Sequence, residues 1–299
     1  MQDSHNHSHD INSYNKAFGY GIALNVIYIL IEVVYGLTIN SMALIADAGH
    51  NLSDVLGLIM ALGASYLAGT TPTQTRTYGL RKSTILSALL NAIILLIAIG
   101  AITVESIRKF SSPEPVRGSV MMIVAGIGVI INALTALLFI KGKERDINIK
   151  GAFLHMAADA GVSLGVVIAG LLISVAGWLW IDPVISLVIV VVVTLSTWSL
   201  LKDSFHLSMD AVPRHIELEK VRDYLLSLPG ITDVHDLHIW AMSTTETAIT
   251  AHLVRQETGS NNEILSGTCK ALHDKFGIEH STIQLEDNNA ISICRDNKV

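Results

Sequence analysis

His50 and Asp54 stand four residues apart inside an apolar stretch that runs from 42 to 67. On a helix that spacing puts both side chains on one face, one turn apart. His155 and Asp159 repeat the device inside a second apolar stretch, 151 to 175. Imidazoles and carboxylates belong in water, so four of them at bilayer depth are costly and mark a function. Two such helices facing each other would offer two nitrogens and two oxygens, a donor set that a tetrahedral Zn²⁺ accepts. Mg²⁺ and Ca²⁺ take oxygen shells, so the two histidines argue against them. Donor type does not exclude Co²⁺, Ni²⁺, Cd²⁺ or Cu²⁺, and suits Mn²⁺ least. The competing role for an intramembrane His is hydrogen bonding between helices. Two matching pairs weigh against it, as does the lack of Lys or Arg in the helix interiors to pair with the aspartates.

Such a site has a built-in exchange chemistry. Neutral imidazole and carboxylate are the metal-binding forms, so ligands that release a metal can take up protons. Histidine titrates near neutral pH. A site exposed alternately to each side would couple metal export to proton import. Other polar residues in the apolar stretches have weaker assignments. Asp47, three residues before His50, supports a ligand or packs. Glu32 and Glu105 are candidates for gating or proton handling. Asn25, Asn51, Asn91 and Asn132 can tie helices together, and Asn51 can orient a ligand.

The elements that position these residues follow from composition. Hydrophobic residues make up 51% of the chain and charged residues 15%, against roughly a quarter charged in a soluble domain. The deficit is confined to residues 17–203, which hold six apolar segments near 17–38, 42–67, 80–107, 117–140, 151–175 and 179–201. Each approaches the ~20 residues that span a bilayer. Residues 1–16 form a polar N-terminal tail with His5, His7 and His9, expected to be disordered with weak metal affinity. Residues 204–299 have the composition of a soluble domain. No cleavable signal peptide is expected. Lys and Arg are concentrated between segments 2 and 3 (Arg76, Arg81, Lys82) and between segments 4 and 5 (Lys141, Lys143, Arg145, Lys150), which predicts both termini and the tail in the cytoplasm.

The tail reads α-β-β-α-β: a helix over 217–228, strands over 231–242 and 245–254, a helix over 263–276 and a strand over 282–286. That order predicts an α+β sandwich with its helices on one face of a sheet. At ~90 residues it is small for an independent core, so partner contacts would help it. The net charge of -6 shows no basic stripe, which argues against nucleic acid as a partner. Cys269 and Cys294 make no metal or redox motif and are read as reduced, buried thiols.

Ser41 to His50 with Asp54, His155 with Asp159, Tyr78-Gly79-Leu80-Arg81-Lys82 and Val234 to Trp240 together resemble the motifs of the cation diffusion facilitator family, in its bacterial zinc-exporter branch. The resemblance spans about residues 17–290. It implies a polytopic α-helical protein of six transmembrane helices with a ferredoxin-like (αββαβ) cytoplasmic domain. It implies a homodimer in the bacterial inner membrane that exchanges cytoplasmic Zn²⁺ for H⁺, at one tetrahedral site of His50, Asp54, His155 and Asp159. His at position 50 is associated in the family with zinc preference over cadmium. In the loop between helices 2 and 3, Arg76 and Leu80 occupy positions where some relatives carry metal-binding His, so no metal is expected there. In the tail, His235, His252 and Glu286 align with a cytoplasmic-domain metal site of relatives, which would give Zn²⁺ a structural or regulatory role too. Export of Cd²⁺, Co²⁺ or Ni²⁺ is the nearest alternative. An intramembrane metallohydrolase is a more distant one: H-E-x-x-H is absent and four ligands would leave no open metal position.

Overall fold

A computed structural model gives the fold over residues 8–112, 114–140, 147–256 and 261–287, with side chains described from residue 23 onward except at 138–139, 147–152, 261 and 287. His5, His7, Lys141, Lys143, Arg145 and Cys294 lie outside the described residues. The elements, in chain order, are α1 (Ser8–Thr38), α2 (Met42–Ala68), α3 (Ser83–Ser111), α4 (Gly118–Phe139), α5 (Ile147–Ala176), α6 (Ile181–Ser208), α7 (Leu218–Leu226), β1 (Ile231–Ala241), β2 (Thr247–Arg255), α8 (Asn261–Phe276) and β3 (His280–Asp287). Among the described residues, α2 through α6 are each long and apolar enough to cross a membrane, while the described apolar part of α1, Ala23–Thr38, is shorter. α1 reaches back to Ser8, so residues 8–16 are helical rather than irregular as expected; no Pro or Gly interrupts residues 8–18.

The chain folds into two compact units, residues 1–59 with 91–199, and residues 60–90 with 200–299. In the first, Ala43, Leu44, Ile99, Met121, Val166 and Ile189 are core residues drawn from five helices. Its outward surface is apolar too: Leu30, Ile97, Val104, Val175 and Leu195 are each more than half exposed. A surface this apolar suits a lipid environment, where helices satisfy their own backbone. α5 stops at Gly177, whose φ of 68° is the left-handed conformation that closes a helix.

Glycine sets the approach of α4 to α5. A Cβ on Gly118 would stand 2.4 Å from the Gly170 carbonyl oxygen, and one on Gly170 would stand 2.7 Å from the Gly118 oxygen and 2.8 Å from the Met122 nitrogen. These neighbours are backbone, which cannot rotate away, so the two helices touch as small-residue membrane interfaces do. Gly170→Val is expected to push α4 off α5 and to destabilise the fold by more than about 3 kcal/mol, beyond the usual cost of overpacking. Thermal unfolding in detergent would read the loss, and an unchanged midpoint would show that the contact is dispensable.

The second unit contains a three-stranded sheet in the order β1-β2-β3, with β1 and β2 antiparallel and β2 and β3 parallel. The parallel pair is joined through α8, the crossover such strands need. α7 packs on β1, α8 on β3, and the two helices touch. Val221, Leu225, Ile249, Leu253, Leu272 and Ile278 fill the core. The element order and bounds agree closely with the reading from periodicity.

Candidate metal centre

α2 and α5 bring the two His/Asp pairs together. His50 Nε2 lies 3.4 Å from Asp159 Oδ1 and 3.8 Å from Asp54 Oδ2; His155 Nε2 lies 3.3 Å from Asp54 Oδ2 and 3.7 Å from Asp159 Oδ2. Nitrogens and oxygens alternate around a ring, and the imidazoles meet edge to face with centroids 6.2 Å apart. A tetrahedral zinc with bonds of about 2.0–2.2 Å spaces neighbouring donors about 3.3–3.6 Å apart. Each of the four nitrogen–oxygen separations lies within a few tenths of an ångström of that spacing, with Asp159 meeting the two imidazoles through different oxygens. Donor atoms of His50, Asp54 and Asp159 lie within 4.8 Å of one another, and His155 closes the ring opposite. The two sides of the ring differ: the Asp159 and His50 side chains are 5% and 16% exposed, those of Asp54 and His155 37% and 43%.

The start of α2 is held from a distance. Asp182, fully buried in the first turn of α6, accepts hydrogen bonds from Met42 N (2.7 Å), Ala43 N (3.1 Å) and Ser41 Oγ (2.5 Å). It satisfies amides that the first turn of α2 leaves without helical partners. Asn40, just before, adopts a φ of 60°. The Lys109 ammonium is buried at the end of α3 and donates to the Asn40 carbonyl oxygen (2.8 Å) and to its side chain. Reasoning from sequence did not single out Asp182. An acidic residue opening an apolar helix reads as a partner of that helix's own dipole, and no spacing rule links it to a helix about 140 residues earlier. Glu105 remains near the end of α3, paired with Arg108 at 3.5 Å.

The tail histidines meet on the sheet. His235 and His252 are direct partners across β1 and β2, and Gln284 is paired with His252 on β3. Glu286, two residues along β3, shares the face of Gln284. His252 Nδ1 is 2.7 Å from Glu286 Oε1, and His235 Nε2 is 3.1 Å from Glu286 Oε2. β1 has a register irregularity between His235 and His238, and Asp236 within it takes a φ of 50°. That bulge turns the Asp236 carboxylate to His238 Nε2 (2.9 Å) and towards His252 Nε2 (3.5 Å). Burial alone would push the Glu286 carboxyl up, but hydrogen bonds and charge from His252 and His235 outweigh it and hold the group below the usual carboxylate range. The three side chains can together offer two nitrogens and one oxygen within 4.8 Å of one another. His280 stands apart, its ring edge-on to Tyr78.

Comparison with known proteins places the chain in a family. Residues 20–207 match the cation efflux transmembrane domain, and residues 213–288 match the cytoplasmic domain of cation efflux proteins. The chain is 35% identical to the metal cation efflux system protein CzcD of Cupriavidus metallidurans, over 94% of this chain and 89% of that one. It is 36% identical to a cadmium, cobalt and zinc/H(+)-K(+) antiporter of Bacillus velezensis, over 94% of this chain and 91% of that one. It is 33% identical to the zinc transporter ZitB of Escherichia coli, over 95% of this chain and 92% of that one. With nearly its whole length matched by the family's two domains and by full-length relatives, the chain belongs to the cation efflux, or cation diffusion facilitator, family of integral membrane transporters.

Proposed function

We propose that this chain exports zinc from the cytoplasm in exchange for protons, by alternating access of the site made by His50, Asp54, His155 and Asp159. The observation that carries the reading is the ring of alternating nitrogens and oxygens at 3.3–3.8 Å, close to the edge of a tetrahedral zinc shell. The names of the relatives, a zinc transporter and a cadmium, cobalt and zinc/H(+)-K(+) antiporter, support the substrate and the exchange. In this reading α1 to α6 make six spans of a bacterial inner membrane with both termini cytoplasmic. The divisions are a tail over 1–16, a membrane domain over 17–203 and a cytoplasmic domain over 204–299. The α-β-β-α-β order, with α7 packed on β1, α8 on β3 and the two helices touching, supports a ferredoxin-like reading of the tail. The match to the family's cytoplasmic dimer domain supports a homodimer. His235, His252 and Glu286 would give the tail its own zinc site.

The deciding experiment is zinc uptake into proteoliposomes under an imposed pH gradient. Accumulation that follows the gradient is expected; flux indifferent to it would leave a uniporter. A second reading, export of cadmium or cobalt, is favoured by the name of the Bacillus relative, and the same vesicles loaded with Cd²⁺, Co²⁺ and Ni²⁺ discriminate it. His50→Asp tests selectivity within this scheme. It replaces one nitrogen with an oxygen and is expected to raise cadmium flux relative to zinc; an unchanged ratio would remove the role of His50 in metal choice.

A further inference from the structure

A second polar cluster lies in the same helix bundle, beside the four His and Asp ligands but not sharing their side chains. It is built from Tyr28 and Glu32 on α1, Asp47 and Asn51 on α2, and Ser163 on α5. Tyr28, Glu32 and Ser163 are completely buried and Asp47 is 1% exposed. Asn51 Nδ2 donates to Glu32 Oε2 (3.1 Å), and Ser163 Oγ donates to Asp47 Oδ2 (3.0 Å). Each carboxyl thus has one oxygen satisfied. The other oxygens, Glu32 Oε1 and Asp47 Oδ1, are buried without a hydrogen-bond partner, and so is Tyr28 Oη. The two carboxyls are near enough to interact electrostatically, as are Glu32 and the Tyr28 hydroxyl. The Tyr28 ring is seated against α4 at Gly128, where a Cβ would fall 1.9 Å from the hydroxyl. Asn132, one turn further along α4, adds an amide whose nitrogen and oxygen are both buried and unpartnered.

Nearly every buried polar group in a protein is paired. Three buried oxygens without a hydrogen-bond partner, on two neighbouring carboxyls and the tyrosine beside them, therefore make a cradle in which a proton can be shared. Two adjacent carboxylates cannot both stay charged in apolar surroundings. The charged and titratable groups that bear on Glu32 are Tyr28 and Asp47; those that bear on Asp47 are Glu32, His50 and Asp159. No Lys or Arg is among them.

We propose that Glu32 and Asp47 form a carboxyl pair that binds a transported proton, a site separate from the metal ligands and coupled to them. Asp47 sits nearly one turn before His50 on α2, so a divalent charge held by His50 and Asp159 repels a proton on the pair. An O–H bond forms on one carboxyl oxygen when zinc leaves on the outer side. It breaks, releasing the proton to the cytoplasm, when the next zinc binds. One proton then enters for each zinc exported, beyond any carried by the histidines. The inference rests on the proton-exchange reading above.

Two measurements on the full chain test it. Infrared difference spectra of the detergent-solubilised protein, with and without Zn²⁺, should show the carbonyl stretch of a protonated carboxylic acid disappearing as zinc binds. The band should be absent in both Glu32→Gln and Asp47→Asn, while each variant still binds zinc. A zinc-dependent band that survives in both variants overturns the assignment, whether or not the wild type proves to be a proton exchanger. In proteoliposomes, Glu32→Gln should lose the part of zinc flux that a pH gradient drives and should move fewer protons per zinc. Wild-type coupling in that variant overturns the proposal. So does zinc flux in the wild type that follows a potassium gradient instead and is lost in Glu32→Gln, because the cradle would then hold a metal cation. A wild type with no response to the pH gradient, but with the infrared band intact, counts against the exchange reading and leaves the carboxyl pair standing.

Discussion

Asp159→Ala is expected to abolish zinc flux in proteoliposomes while leaving a folded protein. The carboxylate reaches both histidines, at 3.4 Å and 3.7 Å, and its side chain is only 5% exposed. Losing an outer-shell partner of a metal ligand typically weakens binding about 10–100-fold. Losing one of four direct donors should exceed the upper end, and an alanine offers nothing in return. The fold should tolerate the change, because a charged group is itself costly at bilayer depth and its histidine partners can revert to neutral imidazole. Two readouts therefore separate. In a His252→Ala background, which removes the tail cluster, zinc at about 100 times Kd stabilises a competent protein by ~2.7 kcal/mol. Asp159→Ala should lose that stabilisation with little change in metal-free melting. Full zinc flux through Asp159→Ala would sink the assignment of the cage. A collapse of metal-free stability would instead make Asp159 a structural residue.

Asp159 was legible in the sequence because a four-residue spacing with His155 has one meaning on a helix, a shared face. The same is true of His50 with Asp54. Helix limits were legible for a related reason: in lipid the backbone has few other ways to satisfy itself, so α2 over Met42–Ala68 differs by a residue from the apolar run that announces it. In the tail, alternation and the turn at Pro229-Gly230 were enough to place β1. What the spacing rules missed depends on contacts between distant segments. Lys109 looks like one of the charges at a membrane surface, yet it folds inward to the Asn40 carbonyl. The bulge at Asp236 has no glycine to announce it. Asn51 and Ser163 look alike as polar residues in apolar helices, but each donates a hydrogen bond to a different buried carboxyl. Local periodicity says which face a residue occupies; it does not say which helix faces it.

The second large effect expected comes from such a contact. Asp182→Ala should destabilise the membrane domain by about 3–5 kcal/mol, since it leaves two backbone amides and the Ser41 hydroxyl without their acceptor, at about 1–3 kcal/mol for each buried group stranded. All three donors belong to the turn that starts α2. That turn is anchored only eight residues before His50 and twelve before Asp54, about two to three helical turns. Fraying there would let the ligand face of α2 rotate against α5, so zinc affinity should fall along with stability even though Asp182 touches no metal ligand. Asp182→Asn retains one carbonyl oxygen and should recover part of both quantities, an order that simple loss of charge would not produce. Thermal unfolding and zinc titration of the two variants check the ranking. If Asp182→Ala melts like the wild type, the start of α2 is held by its helix packing rather than by this carboxylate. If it binds zinc normally but melts early, the cap supports the fold without setting the angle at which α2 presents His50 and Asp54.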